Sequence, residues 1–366
     1  VRSVPMPSTI TAAVCRSFNA PLILETLTLR DPGPGEVEVT VEAVAICHSD
    51  ISYIDGAWGG DLPMVFGHEA VGRITALGEG VSGYGPGDRV LVTLIRSCGA
   101  CPTCLQNLPP YCSGNIPRPP VLTDRDGAPV QKAMNCGAFA EKVIVDPSQI
   151  APLPDTIAPQ AACLLACGVP TGVGAVVNTA RVRPGETVVV IGAGGVGLNV
   201  IQGARLAGAA RIVAMDLNPG KRDDAMAFGA TDWVAADDPK PWKAVRAATF
   251  GRGADHVFVS VGALPAYDMA PRLLAPMGTA YAVGMPHSGD TTPYEPVILA
   301  ALGQGIRGTK MGDVVLGRDI PWMLSLYEQG RLKLDELISR SWPLDQINEA
   351  IADTKTGAAR RNVITF

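Results

Sequence analysis

Residues 186–219, ETVVVIGAGGVGLNVIQGARLAGAARIVAMDLNP, constrain the fold more than any other stretch of the chain. They read as a strand over Thr187–Ile191, a glycine turn, a helix over about 195–207 and a strand over Arg211–Met215. The turn spells G-x-G-x-x-G with Gly192, Gly194 and Gly197. Alone that pattern is weak, but here it leaves a strand and opens a helix. Gly192 permits the tight turn, and Gly194 lets the backbone approach a pyrophosphate seated on the helix N-terminus. Gly197 permits close packing of helix on strand. Asp216 ends the second strand, and a carboxylate there accepts hydrogen bonds from ribose hydroxyls and repels a 2′-phosphate, which points to NAD rather than NADP. The plainer alternative is a glycine turn followed by a surface aspartate.

Further alternation follows: a helical KRDDAMAFG, then strands in DHVFVSVG and TAYAVG. Strands alternating with helices predict a doubly wound parallel sheet. The N-terminal region differs. GEVEVTVEAVAI, GHEAVGRITALGEGV and GDRVLV are β-rich and punctuated by glycine, with no helical period up to about residue 150. QAACLLACGVPTGVGAVVNTA, residues 160–180, predicts one buried helix, and short mixed elements after about residue 311 are expected to return to the first domain. With 366 residues, 47% hydrophobic and 18% charged, the chain suits a two-domain folded protein. A net charge of -5 argues against a nucleic-acid partner. No run reaches the roughly 18 apolar residues of a membrane helix. The opening VRSVPMPSTITAAVC lacks the apolar centre of a signal peptide, so a cytoplasmic location is expected.

Four of the nine cysteines, Cys98, Cys101, Cys104 and Cys112, fall in CGACPTCLQNLPPYC with spacing C-x2-C-x2-C-x7-C. In a reducing compartment such clusters hold metal more often than disulfides. Four thiolates with no open position describe a structural zinc site, and a redox or disulfide cluster is the alternative. Cys47, His68, Glu69 and Cys167 are scattered through CHSD, GHE and LLACGVPTG. Each has an ordinary core reading, and spacing alone cannot join them.

The motifs CHSD, GHEAVGRI, GDRV, the four-cysteine stretch, CGVPTGVGA, GAGGVGL and RRNVITF together resemble the zinc-dependent medium-chain alcohol dehydrogenase family over nearly the whole chain. That resemblance implies a GroES-like catalytic domain over 1–168 with a zinc lobe at 96–113, a Rossmann domain over 169–310 and a return at 311–366. It implies two zinc ions per subunit, the catalytic one held by Cys47, His68 and Cys167, with Asp50 orienting the histidine and Glu69 behind the metal. It places Ser49 on the substrate oxygen and His48 and Arg361 on the pyrophosphate. Lys221 falls near the ribose, and Gly195, Val196 and Val283 join the cofactor contacts. Trp58, Leu94 and Met311 fall in the substrate pocket. The implied reaction is hydride transfer between NAD(H) and a primary alcohol or aldehyde, aromatic or allylic, in a homodimer or homotetramer. The rivals are a thiol-adduct formaldehyde dehydrogenase, a non-catalytic NAD-binding protein, and a zinc-free reductase of the same superfamily.

Overall fold

The computed structural model describes residues 7–114 and 116–366; part of the opening stretch, residues 1–6, lies outside them. The chain divides into two compact units. One takes the residues up to Cys167 together with Val315–Met323 and Leu334–Phe366; the other takes Gly168–Val314 and Leu324–Lys333.

The first unit combines a closed barrel with a seven-stranded sheet. Ser8–Cys15, Ile23–Leu29, Leu122–Thr123, Pro129–Lys132 and Met64–Val65 close the barrel. In the sheet, Val37–Ala45 pairs along its length with Glu69–Leu77, which pairs in turn with Arg89–Thr93. Two strands share its other edge: Lys142–Val145 lies against Val37–Thr40, and Arg361–Thr365 against Ala43–Ala45. Seven of the nine residues of Val37–Ala45 are buried, because both faces and both edges are covered. One continuous core joins its valines to Phe66, Phe139 and Ile364.

The second unit carries six parallel strands in the order Asp232–Ala235, Arg211–Asp216, Thr187–Ile191, Ala254–Val259, Leu274–Ala282 and Gly305–Gly308. The order reverses beside the glycine-turn strand, as in doubly wound nucleotide-binding sheets. Thr187–Ile191 is buried throughout, which explains its unbroken β-branched run.

Three local expectations need correction. The single helix expected over 160–180 is broken: Pro159–Ala162 is α-helical, Cys163–Ala166 is a 3-10 turn, and Cys167 leaves the helical region at φ -149°, ψ -69°. A helix resumes at Gly168–Gly174 and widens into a π-turn at Ala175–Ala180. A buried apolar run shows where a helix is buried and not where it breaks. A seven-residue helix, His48–Ile54, lies in the region read as having none. It spans two turns, too few to show a period. After residue 311 the elements are not all short, since Leu316–Glu328 is a thirteen-residue helix. No single helix among the described residues is long and apolar enough to cross a membrane.

Candidate active site and metal centres

The four-cysteine stretch folds as a run of tight turns. Cys101 caps the single helical turn Pro102–Leu105, and Gly114 leaves space for the Cys98 sulfur, which would lie 2.4 Å from a Cβ there. Backbone N–H groups aim at sulfurs: Cys101 N donates to Cys98 Sγ at 3.3 Å, Cys98 N to Cys112 Sγ at 3.3 Å and Gly114 N to Cys112 Sγ at 3.4 Å. All four sulfurs lie within 4.8 Å of one another. Cys101 and Cys112 are separated by 3.9 Å, far beyond a disulfide bond. A tetrahedral zinc with Zn–S of about 2.3 Å sets its sulfurs about 3.8 Å apart, so the donor set fits that ion. Unequal surroundings drive the thiols' ionisation apart. Cys101 falls to about 4, chiefly through the Thr103 hydroxyl and backbone N–H groups. Cys104 is pushed up to about 12 by desolvation and its sulfur neighbours.

The second cluster is built by sheet register. Ala45, Glu69 and Thr93 form one lateral row across three strands. Cys47 lies two residues beyond that row, and His68 one residue before it. The Thr93 hydroxyl donates to Ala166 O at 2.6 Å, which fixes the residue preceding Cys167. The row thus delivers Cys47, His68, Glu69 and Cys167 to one buried point, with their ligand atoms within 4.8 Å of one another.

His68 is fully buried, as is Asp50. Its Nδ1 lies 3.0 Å from Asp50 Oδ1, which makes Nδ1 the protonated nitrogen and leaves the Nε2 lone pair available. Asp50 is itself held by Gly67 N at 3.0 Å and Cys47 N at 3.1 Å. Nε2 has no hydrogen-bond partner among the described residues. A buried lone pair facing two thiols, its ring oriented by a carboxylate, is the donor arrangement of a metal site. The thiol of Cys47 is held well below the usual range, chiefly by the hydrogen bond with Cys167, against the opposing effect of burial. Burial pushes the Glu69 carboxyl up to about 8, while Arg361 pulls the other way with Nη1 3.2 Å from Oε1.

In the second unit Gly192 turns at φ 98°, a left-handed value that suits glycine. A Cβ on Gly197 would lie 1.7 Å from Gly192 O, whereas one on Gly194 would meet nothing within 4 Å. The second glycine therefore opens on space at the N-terminus of helix Gly195–Leu206, where backbone N–H groups lack intrahelical partners. A pyrophosphate fits that cradle. Asp216 Oδ2 accepts from Ala193 N at 2.8 Å and Lys221 Nζ at 3.2 Å, and Oδ1 accepts from Asn218 N at 2.9 Å.

Comparison with known proteins agrees with this geometry. Residues 33–155 match the alcohol dehydrogenase GroES-like domain, and 195–329 match the zinc-binding dehydrogenase family. Alcohol dehydrogenase B of Mycobacterium tuberculosis is 34% identical over 370 residues, with 97% of each chain covered. The chain belongs to the zinc-dependent medium-chain alcohol dehydrogenase family. A zinc-binding-domain alcohol dehydrogenase from Burkholderia ambifaria superposes with TM-score 0.94 at 31% identity, covering 99% of this chain and 100% of the other. Benzyl alcohol dehydrogenase from Acinetobacter calcoaceticus gives TM-score 0.91 at 29% identity, covering 98% and 99%.

As a member of this alcohol dehydrogenase family the chain is an oxidoreductase for small alcohols and aldehydes, served by zinc and a nucleotide cofactor. The remaining family positions fall as follows. His48 is exposed and Ser49 half-buried on the first turn of the helix that Cys47 heads. Arg361 is buried, its Nη1 shared between Glu69 and Ile46 O, and its Nη2 has no hydrogen-bond partner among the described residues. Trp58 packs edge-on against Tyr53 with ring centroids 4.8 Å apart, and half-buried Leu94 packs against the first unit's core. Met311 belongs to the second unit, buried, with Sδ 3.5 Å from Thr171 Oγ1. Val196 is half-buried beside Gly195, and Val283 N bonds Val259 O at 3.0 Å just past its strand. Reading the sequence missed Thr93 and the Glu69–Arg361 pair. Neither has a motif, because both follow from strand register.

Proposed function

We propose that this chain is an NAD-dependent zinc alcohol dehydrogenase of the cytoplasm, interconverting a primary alcohol, aromatic or allylic, and its aldehyde. The observation that carries this reading is the His68 Nε2 lone pair, fully buried, without a hydrogen-bond partner among the described residues and gathered with two cysteine sulfurs. Cys47, His68 and Cys167 would hold zinc, which would supply Lewis-acid chemistry for the substrate oxygen. Bound NAD supplies the hydride acceptor. Asp50 keeps the Nδ1 proton in place and so keeps the ligating nitrogen free. The Ser49 hydroxyl relays the substrate hydroxyl proton, accepting it while giving up its own proton to water. Glu69 and Arg361 balance charge beside the sulfurs. Trp58 and Leu94 offer the substrate apolar side chains from the first unit, which favours an uncharged substrate of moderate size. The similarity to a benzyl alcohol dehydrogenase supports an aromatic one.

NAD is favoured because the Asp216 carboxylate is fixed at the glycine turn by Ala193 N, where a 2′-phosphate would meet its charge. One edge of the parallel sheet is Gly305–Gly308, where Ile306 is exposed. An apolar open edge is a template for pairing, and a second copy of this chain adding the same strand forms the homodimer.

The test is a panel of alcohols and aldehydes, with and without glutathione, read by NADH absorbance. NAD-dependent, glutathione-independent turnover of benzylic or allylic alcohols is expected. Asp216→Gly narrows the preference for NAD over NADP by about tenfold or more, as loss of one charge contact of about 1.4 kcal/mol implies. Turnover of only a glutathione adduct, or none with any alcohol, overturns the reading.

A further inference from the structure

The Arg361–Thr365 strand lies beside Ala43–Ala45 and ends its ladder two residues short of Cys47. Ile46 N donates to Asn362 O at 2.9 Å. Ile46 O accepts from Arg361 Nη1 at 3.3 Å, and Cys47 N donates to Asp50. The backbone groups leading into Cys47 are therefore all occupied, two of them by residues more than three hundred positions later in the chain.

Successive strand residues face opposite sides. Arg361 turns towards Glu69 and Cys47, and Asn362 turns away from them. The Asn362 side chain is fully buried and saturated. Its Oδ1 accepts from Trp342 Nε1 at 3.2 Å. Its Nδ2 donates to Asp353 Oδ2 at 2.7 Å, Thr354 Oγ1 at 3.0 Å and Ala350 O at 3.3 Å. The carboxamide thus bolts the strand to helix Ile347–Lys355 and to strand Ile338–Pro343. We propose that Asn362 is a positioning residue for the buried metal centre, acting through its own carbonyl on Ile46 and through Arg361 on Glu69. The proposal rests on the reading of Cys47 as a zinc ligand.

The experiment challenges the zinc-loaded enzyme with EDTA and follows zinc release, while alkylation and peptide mass mapping tell Cys47 from Cys98. Asn362→Asp sets a second carboxylate against Asp353 and removes the donors. The zinc guarding Cys47 is then expected to leave about tenfold faster, the low end of the 10–100-fold affinity loss caused by removing a ligand's own outer partner, since Asn362 acts one step further out, with the zinc guarding Cys98 unchanged. The swap Asn362→Asp with Asp353→Asn restores a donor opposite an acceptor and returns release to near the wild-type rate. Trp342→Phe, which deletes one hydrogen bond, accelerates release about fivefold. Equal acceleration at both zincs, or a lowered melting temperature with neither rate changed, marks a purely structural role and overturns the proposal. A wild-type enzyme holding zinc only at the four-cysteine cluster overturns the reading of Cys47 along with it.

Discussion

The two cysteine clusters of this chain reach the same interatomic spacing by opposite routes. Cys98, Cys101, Cys104 and Cys112 are half-exposed and are joined by turns within fifteen residues. Cys47, His68, Glu69 and Cys167 are buried and span more than a hundred residues, gathered by one row of a β-sheet. The first is a local fold with little core of its own, expected to need a metal to persist. The second is a product of a fold that persists without it, because the sheet and core beneath it are apolar and continuous. Removing metal from the lobe should therefore damage stability, and removing it from the buried centre should damage chemistry.

The largest expected effect is at the buried centre. His68→Ala should lower kcat by at least ~10³-fold, since Lewis-acid stabilisation contributes several kcal/mol. One zinc should remain per chain, and NAD binding should persist. Steady-state rates, metal analysis and calorimetry check this, and a variant that unfolds instead would erase the contrast between the clusters. Next is Cys104→Ser. One zinc should be lost and stability should fall by roughly 2–4 kcal/mol, since structural zinc contributes folding energy, while the zinc guarding Cys47 stays bound. Equilibrium unfolding in urea measures the loss. Unchanged stability would show the lobe to be a passenger.

The smallest effect supplies a baseline away from both sets of ligands. The Lys132 ammonium is buried against Ile144 O, although its stem reaches the surface, and burial lowers its pKa from 10.5 to about 8. Between those values the unfolded chain binds the proton and the folded chain does not, so stability rises with pH from about 8 to 10.5. The rise should amount to about 1–3 kcal/mol after allowing for solvent near the stem. Lys132→Met should flatten it in urea unfolding at graded pH. If the slope survives in the variant, another group is its source, and pH effects on the clusters must be judged against that group instead.

The same contrast governs what could be read from the sequence. The four-cysteine lobe was legible because its spacing is its geometry: two-residue gaps make turns, and turns bring sulfurs together. The glycine turn was legible for a similar reason, since Gly192, Gly194 and Gly197 do their work within six residues of one another. The buried cluster was reached only through resemblance to a whole family. Nothing in CHSD or GHE reveals that Ala45 will lie beside Glu69 and Glu69 beside Thr93. The break at Cys167 was hidden too, because LLACGVPTG is as apolar on one side of the break as on the other. Asn362 was invisible because a buried asparagine and a surface one are spelled alike.

The shared edge of the Val37–Ala45 strand also sets a timetable. Lys142–Val145 covers one half of that edge, but the half next to Cys47 waits for Arg361–Thr365, made about three hundred residues after it. At synthesis rates of about 5–20 residues per second, that interval is roughly fifteen seconds to a minute. Meanwhile Gly168–Val314, nearly the whole of the second unit, is contiguous and can close as it emerges. Ala43, Val44 and Ala45, fully buried in the finished fold, spend that time on an open apolar edge. The nascent enzyme is thus most exposed to misassociation beside the cysteine proposed as its zinc ligand, and the backbone around that cysteine is among the last parts of the molecule to set.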